Sequence, residues 1–177
     1  MYFIKDVEDS KIIPGVKKLS LDTYSDFRGD IWTVYTDCDF LPRFVEDKIS
    51  ISKYKVLRGL HGDSYNDKLI YCLQGKLELV VVNFDQNSPQ YLQKVQLQMD
   101  DESNFAVFVP KNFLNGHYCL SETCLFYYKW SESYINPTNQ FSVLWSDGEL
   151  NIDWSLLEEA PILSERDKNA KTIKEKQ

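Results

Sequence analysis

KLIYCLQGKLELVVVNF, residues 68–84, is two apolar runs divided by Gln-Gly-Lys. Each run is short and rich in Leu, Val, Tyr or Phe. Each therefore reads as a strand, KLIYCL over 68–73 and LELVVVNF over 77–84, around a tight turn at Gly75. The same grammar extends outward. On the N-terminal side, DIWTVYT (30–36) and KISISKYKVLR (48–58) alternate as strands do, and residues 1–20 read as an edge strand and a connection. On the C-terminal side, YLQKVQLQ (91–98) has one polar face and DDESN is a turn. FAVFVP (105–110) is a buried strand that ends at proline. HYCL (117–120) and TCLFYYKW (123–130) read as a second hairpin around Ser121 and Glu122, and FSVLWSD (141–147) as one more short strand.

About nine short strands with turn residues between them predict an all-β sandwich or barrel. Helix signals are weak and confined to DFLPRFVE (39–46) and the charged tail after Ser164. No repeat or linker divides the chain. We expect one domain over 1–168 and a flexible C-terminal tail over 169–177. At 177 residues and 43% apolar content, the chain can bury a real core. Its net charge of −7 argues against nucleic acid as a partner, while a local arginine cluster can still hold an anion.

No apolar run reaches membrane-spanning length, and the acidic N-terminus lacks the pattern of a signal peptide, so a cytoplasmic place is expected with no membrane partner. Cys38, Cys72, Cys119 and Cys124 form no CxxC pair and no zinc spacing with histidine, which reads as free thiols in a reducing compartment. A Cys119–Cys124 pairing across a turn is the weaker alternative.

The chemistry-bearing stretch is VLRGLHGD, residues 56–63. Strict alternation puts Arg58, Leu60 and Gly62 on one face and Gly59, His61 and Asp63 on the other. The flanking glycines leave little bulk beside His61, which suits the close approach of a ligand. His61 and His117 are the only histidines, and Asn115 and His117 share a face if their segment is extended. By residue type alone, a lone strand histidine is more often structural than catalytic. Metal ligation is poorly supported, because the segment offers His-Gly-Asp instead of His-x-His and Lys68 follows nearby. Dinucleotide, Walker and nucleophile-elbow motifs are absent.

Seven segments in order carry a resemblance: DFRGDIW (26–32), VLRGLHGD (56–63), the 68–91 stretch, VPKNFLNGH (109–117), YYKWSESY (127–134), LWSDGELNIDW (144–154) and LSERD (163–167). Together, over about residues 20 to 168, they resemble the dTDP-4-dehydrorhamnose 3,5-epimerase family. The resemblance implies a cupin-like jelly-roll barrel with a few short helices, a homodimer, and neither metal nor other cofactor. It also implies a nucleotide-linked 4-keto sugar as substrate. The ketone acidifies C3 and C5. A base removes a proton, the charge moves to the C4 oxygen, and a proton returns from the opposite face.

By the same resemblance, His61 falls on the base, Asp167 on the acid that orients it, Tyr128 on the proton donor and Lys68 on the lysine beside the sugar. Arg28 and Arg58 fall on the diphosphate contacts, with Arg28 reaching a neighbouring subunit's site, and Arg166 on a further basic contact. Without the resemblance, Asp167 reads as a solvated tail carboxylate, Tyr128 as a core aromatic and Lys68 as a strand-edge cation.

Departures from the family pattern surround the sugar and nucleotide. They are Asn115 and His117 where a histidine and an aromatic are usual, Asp63 in place of glutamine, and Thr33 and Asn139 in place of acids. Asn115, His117 and Asp63 are therefore expected substrate contacts. The His-Gly-Asp and Asn-x-His-Tyr patterns resemble a branch acting on GDP-linked 4-keto-heptoses, 6-deoxy or not, in bacterial capsule synthesis. A dTDP-linked 6-deoxyhexose, with epimerisation at C3 and C5 or at C3 alone, is the alternative. A ketoisomerase or dehydratase on a related sugar, a non-catalytic nucleotide-sugar binding module and a metal-dependent cupin are the readings of other kinds.

Overall fold

The computed structural model describes residues 3–133, 140–155 and 159–176. Among the described residues, thirteen strands form two main sheets and a separate hairpin. The first sheet runs β1 (Ile4–Asp9), β2 (Lys17–Leu21), β10 (Phe105–Val109), β7 (Lys68–Gln74), β12 (Thr123–Trp130), β5 (Glu46–Lys53). The second runs β13 (Phe141–Ser142), β6 (Leu57–Gly62), β11 (Phe113–Cys119), β8 (Lys76–Asn83), β9 (Lys94–Asp100). β3 (Thr23–Asp26) and β4 (Gly29–Trp32) pair only with each other. The expected all-β, cupin-like fold is the one observed, with helix among the described residues limited to α1 (Glu165–Lys168) and a short 3-10 turn, Lys174–Lys176.

The two runs of the opening stretch are strands, but they do not pair with each other. β7 lies in one sheet and β8 in the other, and Gly75, at φ +76°, carries the chain between them. β11 and β12 make the same crossing around Ser121 and Glu122. The reason lies in burial. β8 is apolar on both faces because Leu77, Leu79 and Val81 point between the sheets, while Val80 and Val82 point outward under the C-terminal segment. β7 likewise sends Ile70 and Cys72 inward, and Leu69 and Tyr71 outward against Leu41 and Phe44. Strands covered on both faces are central strands, and each needs its own pair of neighbours.

Three further expectations are corrected. Residues 39–46 form no helix; Leu41 and Phe44 instead cap the outer core as irregular chain. KISISKYKVLR is split by a turn at 54–56, so Ser52 and Arg58 belong to different sheets. The tail expected to be flexible is docked. Ile173 is buried beside Leu57 and Trp154, its amide donates to Asp147 Oδ2 at 2.8 Å, and Lys171 accepts from the Leu144 amide. One isoleucine in a charged run was enough to anchor it.

The pairing of β6 with β11 sets up the site. His61 lies opposite Asn115 and Arg58 opposite His117, so two residues of β6, Gly59 and Leu60, stand against one of β11, Gly116. This bulge resets the alternation, and Arg58 and His61 come to line one cavity where strict alternation had separated them. The glycines serve this pairing and not the ligand. A Cβ on Gly62 would sit 2.2 Å from the Phe113 carbonyl oxygen, and one on Gly59 would sit 2.5 Å from Gly116 Cα. Backbone cannot yield as a side-chain tip can. Gly62→Ala is expected to cost about 3 kcal/mol, read as a melting temperature lowered by roughly 6–12 °C in a thermal unfolding scan.

Candidate active site

A cavity of about 300 Å³ opens between the sheets. β6 supplies Arg58 and His61, β7 supplies Lys68, and β11 supplies Asn115 and His117. β12 supplies Phe126, Tyr128 and Trp130, and the C-terminal segment adds Arg166 and Asp167. Nine expected site residues therefore converge, from positions spread over more than a hundred residues of chain: His61, Tyr128, Asp167, Lys68, Arg58, Asn115, His117 and Arg166 line the space, and Asp63 lies just behind it.

His61 Nε2 is 2.6 Å from Asp167 Oδ1. Asp167 is buried, and Ser164, the N-cap of α1, holds its other oxygen at 2.9 Å. Burial alone would raise the Asp167 pKa. The hydrogen bond and charge of His61, the Ser164 hydroxyl and the nearby Arg166 outweigh it and hold the carboxyl below its ordinary value. An ionised Asp167 keeps the proton of neutral His61 on Nε2 and leaves the basic lone pair on Nδ1. Nδ1 faces Ser142 Oγ at 3.2 Å. That hydroxyl already accepts from Arg166 Nε at 3.2 Å and Nη2 at 2.7 Å, so its own hydrogen is left to point at Nδ1.

Lys68 is buried and donates to Asn115 Oδ1 at 2.8 Å, with the Trp130 ring centroid 5.9 Å away. Burial pushes its pKa down to about 8; Asp63 opposes the shift and Lys48 adds to it. Asp63 reaches Lys68 only through its charge. Its Oδ1 accepts from the Tyr65 amide at 2.9 Å and the Asn66 amide at 2.6 Å, fixing the turn after β6. It does not line the cavity.

Tyr128 stands between Phe126 and Trp130, at ring separations of 5.1 and 6.0 Å. Tyr127 points the other way, onto Tyr71 at 5.5 Å, as alternation along β12 requires. His117 stacks on Phe126 with centroids 4.2 Å apart and planes 11° from parallel. Arg28 is elsewhere in the subunit, exposed at the turn of the β3–β4 hairpin and paired with Asp26 at 2.6 Å. Thr33 follows β4, away from the cavity. Asn139 lies outside the described residues.

Sequence reasoning missed Ser52, Ser142, Ser164 and the aromatics flanking Tyr128. The aromatics were legible, since 126, 128 and 130 share one face of an extended strand. Ser52 and Ser142 were not, because each acts across strands far apart in the chain, while Ser164, three residues before Asp167, carried a local cap signal that was passed over. Among the described residues, no three His, Cys, Asp or Glu side chains converge as metal ligands do.

A carboxylate-oriented imidazole, a tyrosine across the same cavity and a buried ammonium group between them are the parts of a proton-transfer site. The parts suit carbanion chemistry next to a carbonyl, in which an enolate oxygen needs a cation.

Comparison with known proteins agrees. The profile of the dTDP-4-dehydrorhamnose 3,5-epimerase family matches residues 10–175. A dTDP-4-dehydrorhamnose 3,5-epimerase of Methanothermobacter thermautotrophicus is 32% identical, over 98% of this chain and 95% of its own. The crystal structure of dTDP-4-dehydrorhamnose 3,5-epimerase from Elizabethkingia anophelis superposes with a TM-score of 0.89 at 33% identity, covering 99% of each chain. That of the dTDP-6-deoxy-D-glucose-3,5-epimerase from Legionella pneumophila, in complex with dTDP-4-keto-L-rhamnose, gives 0.88 at 32%, covering 94% of this chain and 92% of its own. The chain belongs to the dTDP-4-dehydrorhamnose 3,5-epimerase family. It is an isomerase of the sugar-nucleotide epimerase kind.

Because burial pushes the Lys68 pKa down to about 8, its positive charge is present below that pH and lost as pH rises through it. The alkaline limb of kcat is expected near pH 8, and Asp63→Asn is expected to move it to lower pH by removing the charge that opposes burial. A kcat flat to pH 10 in both proteins would separate Lys68 from the reaction.

Proposed function

We propose that the protein inverts C3, and C5 as well, of a nucleotide-linked 4-keto sugar. His61 takes the proton through Nδ1 as the Ser142 hydroxyl turns its hydrogen away from that nitrogen, while Asp167 stabilises the imidazolium that forms. Lys68 stabilises the C4 enolate oxygen, and Tyr128 returns a proton from the far side of the ring. The observation that carries this reading is the 2.6 Å bond between His61 and the buried Asp167 inside a cavity that also holds Tyr128. A binding module has no use for an imidazole held in one tautomer by a buried acid.

The names of the relatives support a dTDP-linked 4-keto-6-deoxyhexose as substrate. A GDP-linked 4-keto-6-deoxy-heptose, made for capsule polysaccharide, is the second reading. Asn115 on Lys68 and His117 on Phe126 favour it, because both stand where the family pattern has other residues and both line the sugar's space. Arg58 and Arg166 are the proposed diphosphate contacts within the subunit, as guanidinium forks suit phosphate oxygens.

The subunit is proposed to work as a homodimer in the cytoplasm. Phe27 is 97% exposed beside Arg28, and Ile49 and Ile51 are exposed on β5, the edge strand of the first sheet. A hairpin laid on a second subunit would cover these residues and bring Arg28 to that subunit's cavity. All four cysteines are free, in keeping with a reducing compartment.

Proton NMR in deuterated water, with dTDP- and GDP-linked 4-keto sugars in turn, tests the reaction and the donor together. Loss of the C3 and C5 signals in one nucleotide series is expected; loss at C3 alone would remove Tyr128 from its role, and no exchange with either series would overturn the enzyme reading. His61→Asn should abolish exchange. Asp167→Asn should lower kcat by about 10²–10⁴-fold with KM little changed. Light scattering should find twice the 20.8 kDa chain mass, and a single-chain mass would refute the dimer.

A further inference from the structure

The two histidines are held in different ways, and the second has a function of its own. His117 Nε2 lies 3.2 Å from Ser52 Oγ, and Arg58 Nε donates to that same oxygen at 3.1 Å. Ser52 is 1% exposed. Arginine only donates, so its bond occupies a lone pair of the serine and leaves the hydroxyl hydrogen to be placed. Among the described residues, His117 Nε2 is the one acceptor within reach of it. Were His117 to donate through Nε2 instead, the buried hydroxyl hydrogen would have no partner. The chain of donors therefore runs Arg58 to Ser52 to His117 and puts the imidazole proton on Nδ1.

Nδ1 has no protein partner among the described residues and is not sealed off as a buried polar atom. His117 lines the cavity, so the nitrogen left without a protein partner is the one a ligand there would meet. The ring cannot swing away, because it lies flat on Phe126.

We propose that His117 is a specificity-determining residue, a permanently neutral imidazole whose Nδ1–H donates to an oxygen acceptor on the sugar, and that Ser52 is the positioning residue that fixes its tautomer. This rests on the reading of the cavity as a nucleotide-sugar site. Electrostatics support it. Burial is the largest influence and lowers the His117 pKa to about 3; Arg58 on β6 lowers it further, Asp167 in α1 opposes and His61 on β6 lowers it. His117 thus neither charges nor competes with His61 for the substrate proton at working pH. It reads a hydroxyl or carbonyl oxygen by a donor that does not change with acidity.

The test starts with nitrogen NMR of the full protein labelled with ¹⁵N-histidine. Only two imidazoles are present, and His61→Asn assigns them. His117 is expected to show a protonated Nδ1 and an unprotonated Nε2, unchanged from pH 5 to 8. Ser52→Ala should release it into a mixture of tautomers, and Ser52→Thr, which keeps the hydroxyl, should restore the single form. A protonated Nε2, or a midpoint near 6.5, would overturn the relay. The kinetic arm uses His117→Phe, which keeps the stack on Phe126 and removes the donor. KM for the dTDP- or GDP-linked 4-keto sugar that is turned over should rise about 5–10-fold, with the loss falling on KM and not on kcat. An unchanged KM would overturn the contact with the sugar. If neither sugar is turned over, the proposed function fails, while the nitrogen spectra still decide the tautomer.

Discussion

The close approach of β6 and β11 is the constraint from which the site follows. Two backbones meet at distances that no side chain at Gly59 or Gly62 would allow. The extra residue in β6 is absorbed there as a bulge, and the bulge turns Arg58 and His61 toward one space. Without it, the arginine and the base would face opposite sides of a sheet. The bulge also matches Asn115 to His61 and His117 to Arg58. The polar groups thus arrive in pairs across the two strands, and none is left alone in an apolar wall.

Hydroxyl groups then set the directions of the rings. Ser142 lies between Arg166 and His61, Ser52 between Arg58 and His117, and Ser164 holds Asp167. In the first two cases the arginine fills the acceptor side of the serine and the imidazole receives its hydrogen. One geometry is used twice with opposite results. His61 also faces a carboxylate, so it can take up a proton and be stabilised as the cation. His117 faces the arginine-bound serine and an aromatic ring, and burial holds its pKa well below the ordinary imidazole value.

Much of the fold was legible, because strand signals are local. The apolar runs, the turn at Gly75 and the facing of Tyr128 against Tyr127 all come from neighbours within a few residues. The errors share one cause. β7 and β8, and β11 and β12, are adjacent in sequence and read as hairpins, yet each pair is divided between the sheets. A run buried on both faces has the same composition whichever strand lies beside it. The 39–46 segment read as helix because its apolar residues have helical spacing, but Leu41 and Phe44 serve as plugs over the outer core. The tail read as solvated because a count of charges hides a single anchoring isoleucine.

The sequence by itself determined the class of structure and the ordered motifs of an epimerase family, and it named the residues proposed as base, acid, tyrosine and lysine, because residue types in order are what it records. Only the tertiary structure decided that Arg58 shares a face with His61, that Asp63 shapes a turn and acts on Lys68 by charge, and that His61 meets Asp167 while His117 meets Ser52. Each of these depends on contacts between segments far apart along the chain. The facing of a bulged strand, the field at a buried amine and the tautomer of an imidazole are properties of what lies across the gap, and no local pattern encodes that.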